Sequence, residues 1–121
     1  MFPPVFALAA ASAQVLAVFG SGPTRVYLFG EAPQGVAKPY AVWQSIGISP
    51  ENHLSQIPQI DFMPTQIDVY ADTAAAARNG AQVLRDLYQL HGYVSTQREW
   101  PKEPDTNLYR YQLDVDFWNP R

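Results

Sequence analysis

A strict alternation of apolar and polar residues marks the C-terminal part of the chain. Over 108–118, the odd positions hold tyrosine, leucine, valine or phenylalanine, and most even positions hold charged or amide residues. A period of two is typical of a β-strand with one buried face. Residues 66–71 alternate in the same way, with Ile67, Val69 and Ala71 on one side, and predict a second strand.

A helical period follows this second strand. Over 73–90, apolar residues recur three and four positions apart and share one face, which comprises Ala74, Ala77, Ala81, Leu84, Leu87 and Tyr88. Asp72 or Thr73 can cap the N-terminus of this helix. Gly92 is suited to ending it.

The N-terminal apolar stretch predicts another helix, over about 4–19. Pro3 and Pro4 suit a helix start, and the Gly20-Ser21-Gly22-Pro23 run stops it. The alternative interpretation is a secretory signal peptide with a cleavage site at 11–13. No Lys or Arg precedes Arg25, so the basic region that begins such peptides is missing.

The remaining segments complete an α+β pattern. Residues 25–29, 40–46 and 93–100 predict strands, the last with a weaker pattern that suits a sheet edge. Proline and glycine predict loops at 31–39 and 48–63, and a turn at 101–105. The order α-β-β-β-α-β-β predicts a mostly antiparallel or mixed sheet of four to five strands with two helices packed on one face. The 121 residues are expected to form one domain, 1–121.

Composition excludes several function classes. The chain has no cysteine, which excludes thiolate zinc sites and a cysteine nucleophile. Its net charge of −3 argues against a protein that binds duplex DNA through a basic face. No apolar run reaches the roughly 20 residues of a membrane-spanning helix. Since no glycine-rich phosphate loop or histidine-based metal motif is present either, no cofactor is expected.

Charged residues are concentrated in the second half of the chain. Residues 1–60 contain four of them and residues 61–121 contain fifteen. In the predicted strands 25–29 and 40–46, bulky apolar residues fall on both faces, among them Tyr27, Phe29 and Trp43. A sheet that helices cover on one side should be polar on the other, so these three residues are expected at a subunit interface. The alternative is an ordinary exposed aromatic residue or two, because much protein surface is apolar.

Short segments in a defined order carry a family resemblance that spans nearly the whole chain. They are Arg25-Val26-Tyr27, Pro33 with Gly35, Pro39-Tyr40-Ala41-Val42-Trp43-Gln44, Gln66-Ile67-Asp68-Val69-Tyr70-Ala71-Asp72, Ala76-Ala77-Arg78, Val83-Leu84-Arg85-Asp86 and Tyr109-Arg110-Tyr111-Gln112-Leu113-Asp114-Val115. No segment is specific alone, but the ordered set resembles the tail completion (tail terminator) protein family of long-tailed bacteriophages.

The resemblance implies an α+β subunit of a hexameric ring that caps the tail tube, stops its polymerisation and joins it to the head connector. The implied partners are further copies of this chain, the tail tube protein and the connector or neck protein. DNA would pass through the lumen of the ring without specific binding, and no membrane is involved. The implied location is the virion tail, assembled in the host cytoplasm.

Three aspartates share a face by strand parity: Asp68, Asp114 and Asp116. If their strands are neighbours, the carboxylates form an acidic patch, which in a ring would repel DNA phosphates from the lumen. The alternative is a plain solvated polar face with Arg110 nearby. A further alternative is a divalent-metal site for phosphodiester hydrolysis, although no Lys or His lies close in sequence.

The expected function is therefore structural and not enzymatic. Loops 31–39 and 48–63 are the expected docking surfaces for tube and neck because they are long and rich in proline; they carry Glu31, Gln34, Lys38, Glu51 and His53. The alternative function is a metal-dependent nuclease or phosphoesterase that uses the aspartate cluster. A third possible function is that of a small-molecule-binding domain with a pocket under the helices, but no residue pattern in the sequence indicates such a pocket.

Overall fold

The computed structural model describes residues 3–46 and 60–120, and within them the chain forms three helices and five strands. The helices are α1 (Val5–Ala10), α2 (Ala13–Phe19) and α3 (Ala74–Tyr88). The strands are β1 (Val26–Leu28), β2 (Tyr40–Ser45), β3 (Ile60–Ala71), β4 (Gly92–Trp100) and β5 (Tyr109–Pro120). The α+β prediction is confirmed, with two short helices in place of one at the N-terminal end.

The five strands form one mixed sheet in the order β1-β2-β3-β5-β4. β1 and β2 are parallel, and every other neighbouring pair is antiparallel. The two most regular strands of the sequence, β3 and β5, pair along their full length at the centre, with Ile67 opposite Leu113. β4 lies at an edge of the sheet, as its weaker pattern predicts.

The prediction of one continuous helix over 4–19 is wrong at Ser12. This residue has an extended backbone, and its hydroxyl accepts a hydrogen bond from the Val15 N–H at 3.4 Å, which caps the start of α2. A serine favours such a cap because its hydroxyl replaces a missing helical acceptor. Both short helices still bury an apolar side, with Val5 and Ala9 on α1 and Val15 and Phe19 on α2.

All three helices pack on one face of the sheet. The strand residues on that face are buried together with helix residues in one hydrophobic cluster, which includes Val26, Ala41, Trp43, Ile67, Val69, Leu113, Val115 and Phe117. From α3, Ala81, Leu84 and Tyr88 join this cluster. Thr73, one of the two capping residues that the sequence allows, caps α3, since its hydroxyl accepts from the Ala76 N–H at 3.0 Å.

β3 begins at Ile60 and includes Pro64, so the C-terminal end of the predicted loop 48–63 is strand instead. A proline is tolerated here because its carbonyl points towards the β2 side, where it accepts from the Ile46 N–H at 2.9 Å just after β2 ends. The N–H that proline lacks would point the same way, so no bond to β5 is lost. The earlier part of that loop lies outside the described residues.

Gly92 does not end α3, which stops at Tyr88; it is the first residue of β4. There the strand passes very close to β5. A Cβ atom at Gly92 would lie 2.5 Å from the Asp116 carbonyl oxygen and 3.0 Å from the Phe117 Cα. Glycine is therefore required by the contact between two backbones.

Candidate functional site

The face of the sheet opposite the helices is the main candidate surface, and we call it the open face. Strand alternation assigns to it the residues Tyr27, Tyr40, Val42, Gln44, Pro64, Gln66, Asp68, Tyr70, Tyr93, Thr96, Arg98, Trp100, Arg110, Gln112, Asp114 and Asp116. Among the described residues, no helix packs on this face. Its composition changes across the sheet, from apolar at β1 and β2 to charged at β5 and β4.

The three aspartates named by strand parity do lie on this face, on the neighbouring strands β3 and β5. Asp68 is opposite Gln112, while Asp114 is opposite Gln66 and Asp116 is opposite Pro64. Their environments differ. Asp114 accepts a hydrogen bond from Gln112 Nε2 at 3.0 Å, and both Asp114 and Asp116 are partly exposed.

Asp68 is buried, and its charge is offset by a neighbour. Arg110 Nε donates to Asp68 Oδ1 at 3.0 Å, and Gln66 Nε2 donates to Asp68 Oδ2 at 2.9 Å. The side chain of Asp68 is 9% exposed and that of Arg110 is 23% exposed, so water screens this pair only weakly. The expected acidic patch is thus reduced to Asp114 and Asp116, beside a neutralised ion pair.

The aspartates do not form a metal site in this arrangement. Both carboxylate oxygens of Asp68 already accept hydrogen bonds from Arg110 and Gln66. Across residues 3–46 and 60–120, no group of three or more His, Cys, Asp or Glu residues is placed to hold a metal ion. The nuclease alternative therefore finds no ligand set on the open face.

An arginine–tryptophan cluster occupies the β4 side of the open face, which the sequence analysis missed. The guanidinium carbon of Arg98 lies 3.7 Å from the centre of the Trp100 ring, and that of Arg110 lies 4.8 Å from it. Trp100 Nε1 also donates to Gln112 Oε1 at 3.0 Å. Both guanidinium groups are close enough to the indole ring for attractive cation–π contacts. The sequence contains one sign of this cluster. Arg98 and Trp100 are two residues apart on a predicted strand, so their side chains lie on the same face.

A pair of stacked tyrosines lies at the β2–β3 boundary of the same face. The rings of Tyr40 and Tyr70 are 5.3 Å apart and inclined by 21°. Burial, reinforced by the Asp68 carboxylate, raises the pKa of Tyr70 to about 12. Burial also raises the pKa of Tyr40, with the Glu103 carboxylate adding to the effect. Both hydroxyls therefore stay protonated to a higher pH than that of an ordinary tyrosine.

The three aromatic residues expected at an interface have different positions. Trp43 is opposite Ile67 on the helix side of the sheet, and it is buried in the core of its own subunit. Tyr27 is half-buried on the open face, and Phe29, just after β1, is exposed. The sequence pattern assigns Trp43 to the outer face because both faces of its strand are apolar. The pairing of β2 with β3 shows that Trp43 lies on the helix side instead. The apolar surface at this edge is instead extended by Ile46.

The loop between β1 and β2 presents Glu31, Gln34 and Lys38, and all three are exposed. Glu51 and His53, the other residues expected to dock, lie outside the described residues.

A recess of about 120 Å³ between the start of α3 and the strands β4 and β5 is lined by Ala74, Ala77, Trp100 and Arg110, among others. It is smaller than the roughly 300–1,000 Å³ of typical ligand pockets. No helix of the described residues has the length and apolar character to cross a bilayer.

Comparison with known proteins relates the sequence of this chain to a family of tail completion proteins. The sequence model of the family described as "Tail completion protein gp17" matches residues 3–119. No curated protein matches the sequence. Among solved structures, a chain from "Virion of native gene transfer agent (GTA) particle" has a similar fold, with a TM-score of 0.58 and 15% identity. The similarity covers 95% of this chain and 92% of that chain.

Proposed function

The chain belongs to the family of tail completion protein gp17, and on this premise we propose that it is a tail terminator that closes the end of a phage tail. Membership in this family makes it a structural component of a phage-type tail. The single observation that carries the proposal is the family match over residues 3–119, which leaves almost none of the chain outside the match.

We further propose that several copies form a ring, expected to be a hexamer, on the last layer of the tail tube. One surface of the ring would contact the tube protein and stop its polymerisation. The other would contact the connector or neck protein of the head. The similar fold of a chain in a gene transfer agent virion supports this setting. The proposed assembly takes place in the host cytoplasm.

In this arrangement the open face would line the channel of the ring, with the helices outside. Asp114 and Asp116 supply negative charge on that face, whereas the charge of Asp68 is offset by Arg110. Arg98, on the same face, pairs with no carboxylate of the described residues, so the face as a whole keeps a small negative charge, which repels DNA phosphates and lets the DNA pass without binding. If replacing both Asp114 and Asp116 with asparagine leaves DNA delivery unchanged, this part of the proposal is wrong.

The exposed loop with Glu31, Gln34 and Lys38 is proposed as a docking surface for tube or neck, together with Glu51 and His53 in the next loop. Such contacts act by shape and charge and involve no bond breaking. Replacing Glu31, Gln34 and Lys38 with alanine is expected to leave the fold intact, since all three are exposed. Head–tail joining should fall, and normal joining would contradict the docking role.

The test of the function itself is a phage that lacks this chain. Tails assembled without it should have irregular lengths and remain unjoined to heads, and purified wild-type chain added to such lysates should restore joining. Negative-stain images and native mass spectrometry of isolated tails should show several copies at the tail end. Tails of normal length, joined to heads in the absence of the chain, would overturn the proposal.

The nuclease alternative is separated by a direct assay. The purified chain is incubated with DNA and Mg²⁺ or Mn²⁺, and no cleavage is expected. The matched control is the Asp114→Asn, Asp116→Asn variant. Cleavage by the wild type that this variant lacks would replace the structural function with an enzymatic one.

A further inference from the structure

Asn79 and the glycine that follows it form a reactive pair in the middle of α3. The chain has four asparagines, which are followed by His53, Gly80, Leu108 and Pro120. Of these four following residues, only Gly80 has no side chain beside its backbone nitrogen, and Pro120 has no N–H at all. Asn79 is exposed, so water reaches its side-chain amide. Position 79 is therefore where the chain is chemically most open to attack by its own backbone.

The reaction open to this pair is an intramolecular substitution. The Gly80 nitrogen loses its proton and attacks Cγ of Asn79, the bond from Cγ to Nδ2 breaks, and Nδ2 takes up a proton and leaves as ammonia. The product is a cyclic imide, which one water molecule opens at either of its two carbonyls. Opening at Cγ gives aspartate, whereas opening at the main-chain carbonyl gives isoaspartate, in which the backbone runs through the former side chain. Water is the only co-reactant, and nothing is oxidised or reduced.

The folded helix keeps the two reacting atoms apart. In an α-helix each Cα–Cβ bond tilts towards the N-terminus, so the side chain of Asn79 leans away from the nitrogen of the next residue. The Gly80 N–H also donates to the carbonyl four residues earlier, that of Ala76, as the helical pattern of α3 requires. This hydrogen bond must break before the nitrogen can lose its proton and attack. The reaction therefore requires α3 to open at this point.

The glycine of this pair lies at a tight contact of α3 with β3 and α2. Gly80 is buried, and a Cβ atom there would lie 3.0 Å from Val69 Cγ1 and 3.1 Å from Phe19 Cζ. Isoaspartate at position 79 would add one atom to the backbone just before this contact. The part of α3 that follows, with the buried residues Ala81, Leu84 and Tyr88, could then no longer meet the sheet in the same register.

From these relations we propose that Asn79 is a site of spontaneous deamidation that the folded chain protects and that reacts only when α3 opens. Its isoaspartate product prevents α3 from packing on the sheet again. Unfolding of this chain thereby becomes partly irreversible, because copies that stay open for long are chemically changed before they refold. This property belongs to the chain itself and does not depend on the proposed role in the tail.

Peptide mapping of the purified chain tests the protection. The wild type is incubated at mildly alkaline pH in native buffer and in concentrated urea, and its peptides are analysed by mass spectrometry. In urea, Asn79 should be converted before the other three asparagines. In native buffer, its conversion should be slower by at least about tenfold, since α3 is open for only a small fraction of the time. Equal rates in the two buffers, or faster conversion at another asparagine in urea, would overturn the proposal.

Two variants at the same exposed position test the effect on refolding. Asn79→Gln, whose longer side chain closes the corresponding ring far more slowly, should refold fully on dilution from urea after the same incubation. The wild type should lose the ability to refold, measured by circular dichroism, in proportion to its isoaspartate at position 79. Asn79→Asp carries the charge of the other product on a normal backbone and should fold like the wild type. Full refolding of wild-type chains that contain isoaspartate, or failure of Asn79→Asp to fold, would refute the role given to the altered backbone.

Discussion

The hydroxyl of Tyr88 donates a hydrogen bond of 2.7 Å to the carbonyl oxygen of Val5. The two residues are far apart in the sequence, and both are fully buried. The Tyr88 ring also meets the Phe117 ring edge-on at 5.3 Å. Tyr88 therefore connects α3 to α1 through its hydroxyl and to the central strand β5 through its ring.

Replacing Tyr88 with phenylalanine keeps the ring contact but removes this hydrogen bond. A buried carbonyl then loses a partner, which is expected to lower the free energy of unfolding by about 1–2 kcal/mol. Urea denaturation followed by circular dichroism measures this change. The control is Tyr93→Phe, an exposed position at which the loss should be within about 0.5 kcal/mol.

The ion pair of Asp68 and Arg110 should contribute more to stability than the ion pair of Arg78 and Glu99. The first pair has side chains 9% and 23% exposed, and the second has side chains 59% and 51% exposed. A double-mutant cycle with Asp68→Asn and Arg110→Gln is expected to give a coupling of about 1–2 kcal/mol. The same cycle on Arg78 and Glu99 should give less than about 1 kcal/mol. Equal couplings would show that burial of Asp68 adds nothing.

Alkaline pH should destabilise the protein through Tyr70. Its pKa rises from 10.0 to about 12 on folding, first through burial and then through the Asp68 carboxylate. The folded state thus holds a proton that the unfolded state releases, so the contribution of Tyr70 is complete below pH 10 and declines as the pH rises towards 12. The urea midpoint of the wild type should therefore fall more between about pH 9 and pH 11 than that of Tyr70→Phe. Parallel losses in the two proteins would contradict the assignment to Tyr70.

Alanine at Gly92 should be poorly tolerated. Its Cβ would lie 2.5 Å from the Asp116 carbonyl oxygen, and backbone atoms can move apart only if β4 shifts away from β5. The expected loss is about 1–3 kcal/mol in the free energy of unfolding. Gly22→Ala is the control, because a Cβ there has no neighbour within 4 Å. Thermal melting of the two variants side by side makes the comparison.

Sequence patterns were most reliable where one local period decided the structure. The helix from Ala74 and the strand through Leu113 each have a long, regular alternation and a clear start, and both were predicted with their buried faces. The break at Ser12 was missed because the apolar period continues across it. The extended backbone of Ser12, which caps α2, does not change that period. The early start of β3 was missed because Pro64 argues against a strand unless its neighbours are known.

The candidate site depended more on pairing than on local pattern. Parity placed Asp68, Asp114 and Asp116 on one face, but only the register between β3 and β5 shows that Arg110 reaches Asp68. The position of Trp43 on the helix side likewise follows from its pairing with Ile67. Trp100 and its two arginines come from neighbouring strands, so no single segment contained the cluster.

The ladder between β4 and β5 shifts its register between Val94 and Thr96. This bulge leaves the outer border of the sheet without a straight, continuous row of backbone donors and acceptors. Free copies that collide there have no ready template for adding another strand. The bulge therefore disfavours pairing of β4 with a strand of another copy, which is the first step of fibril growth at this edge.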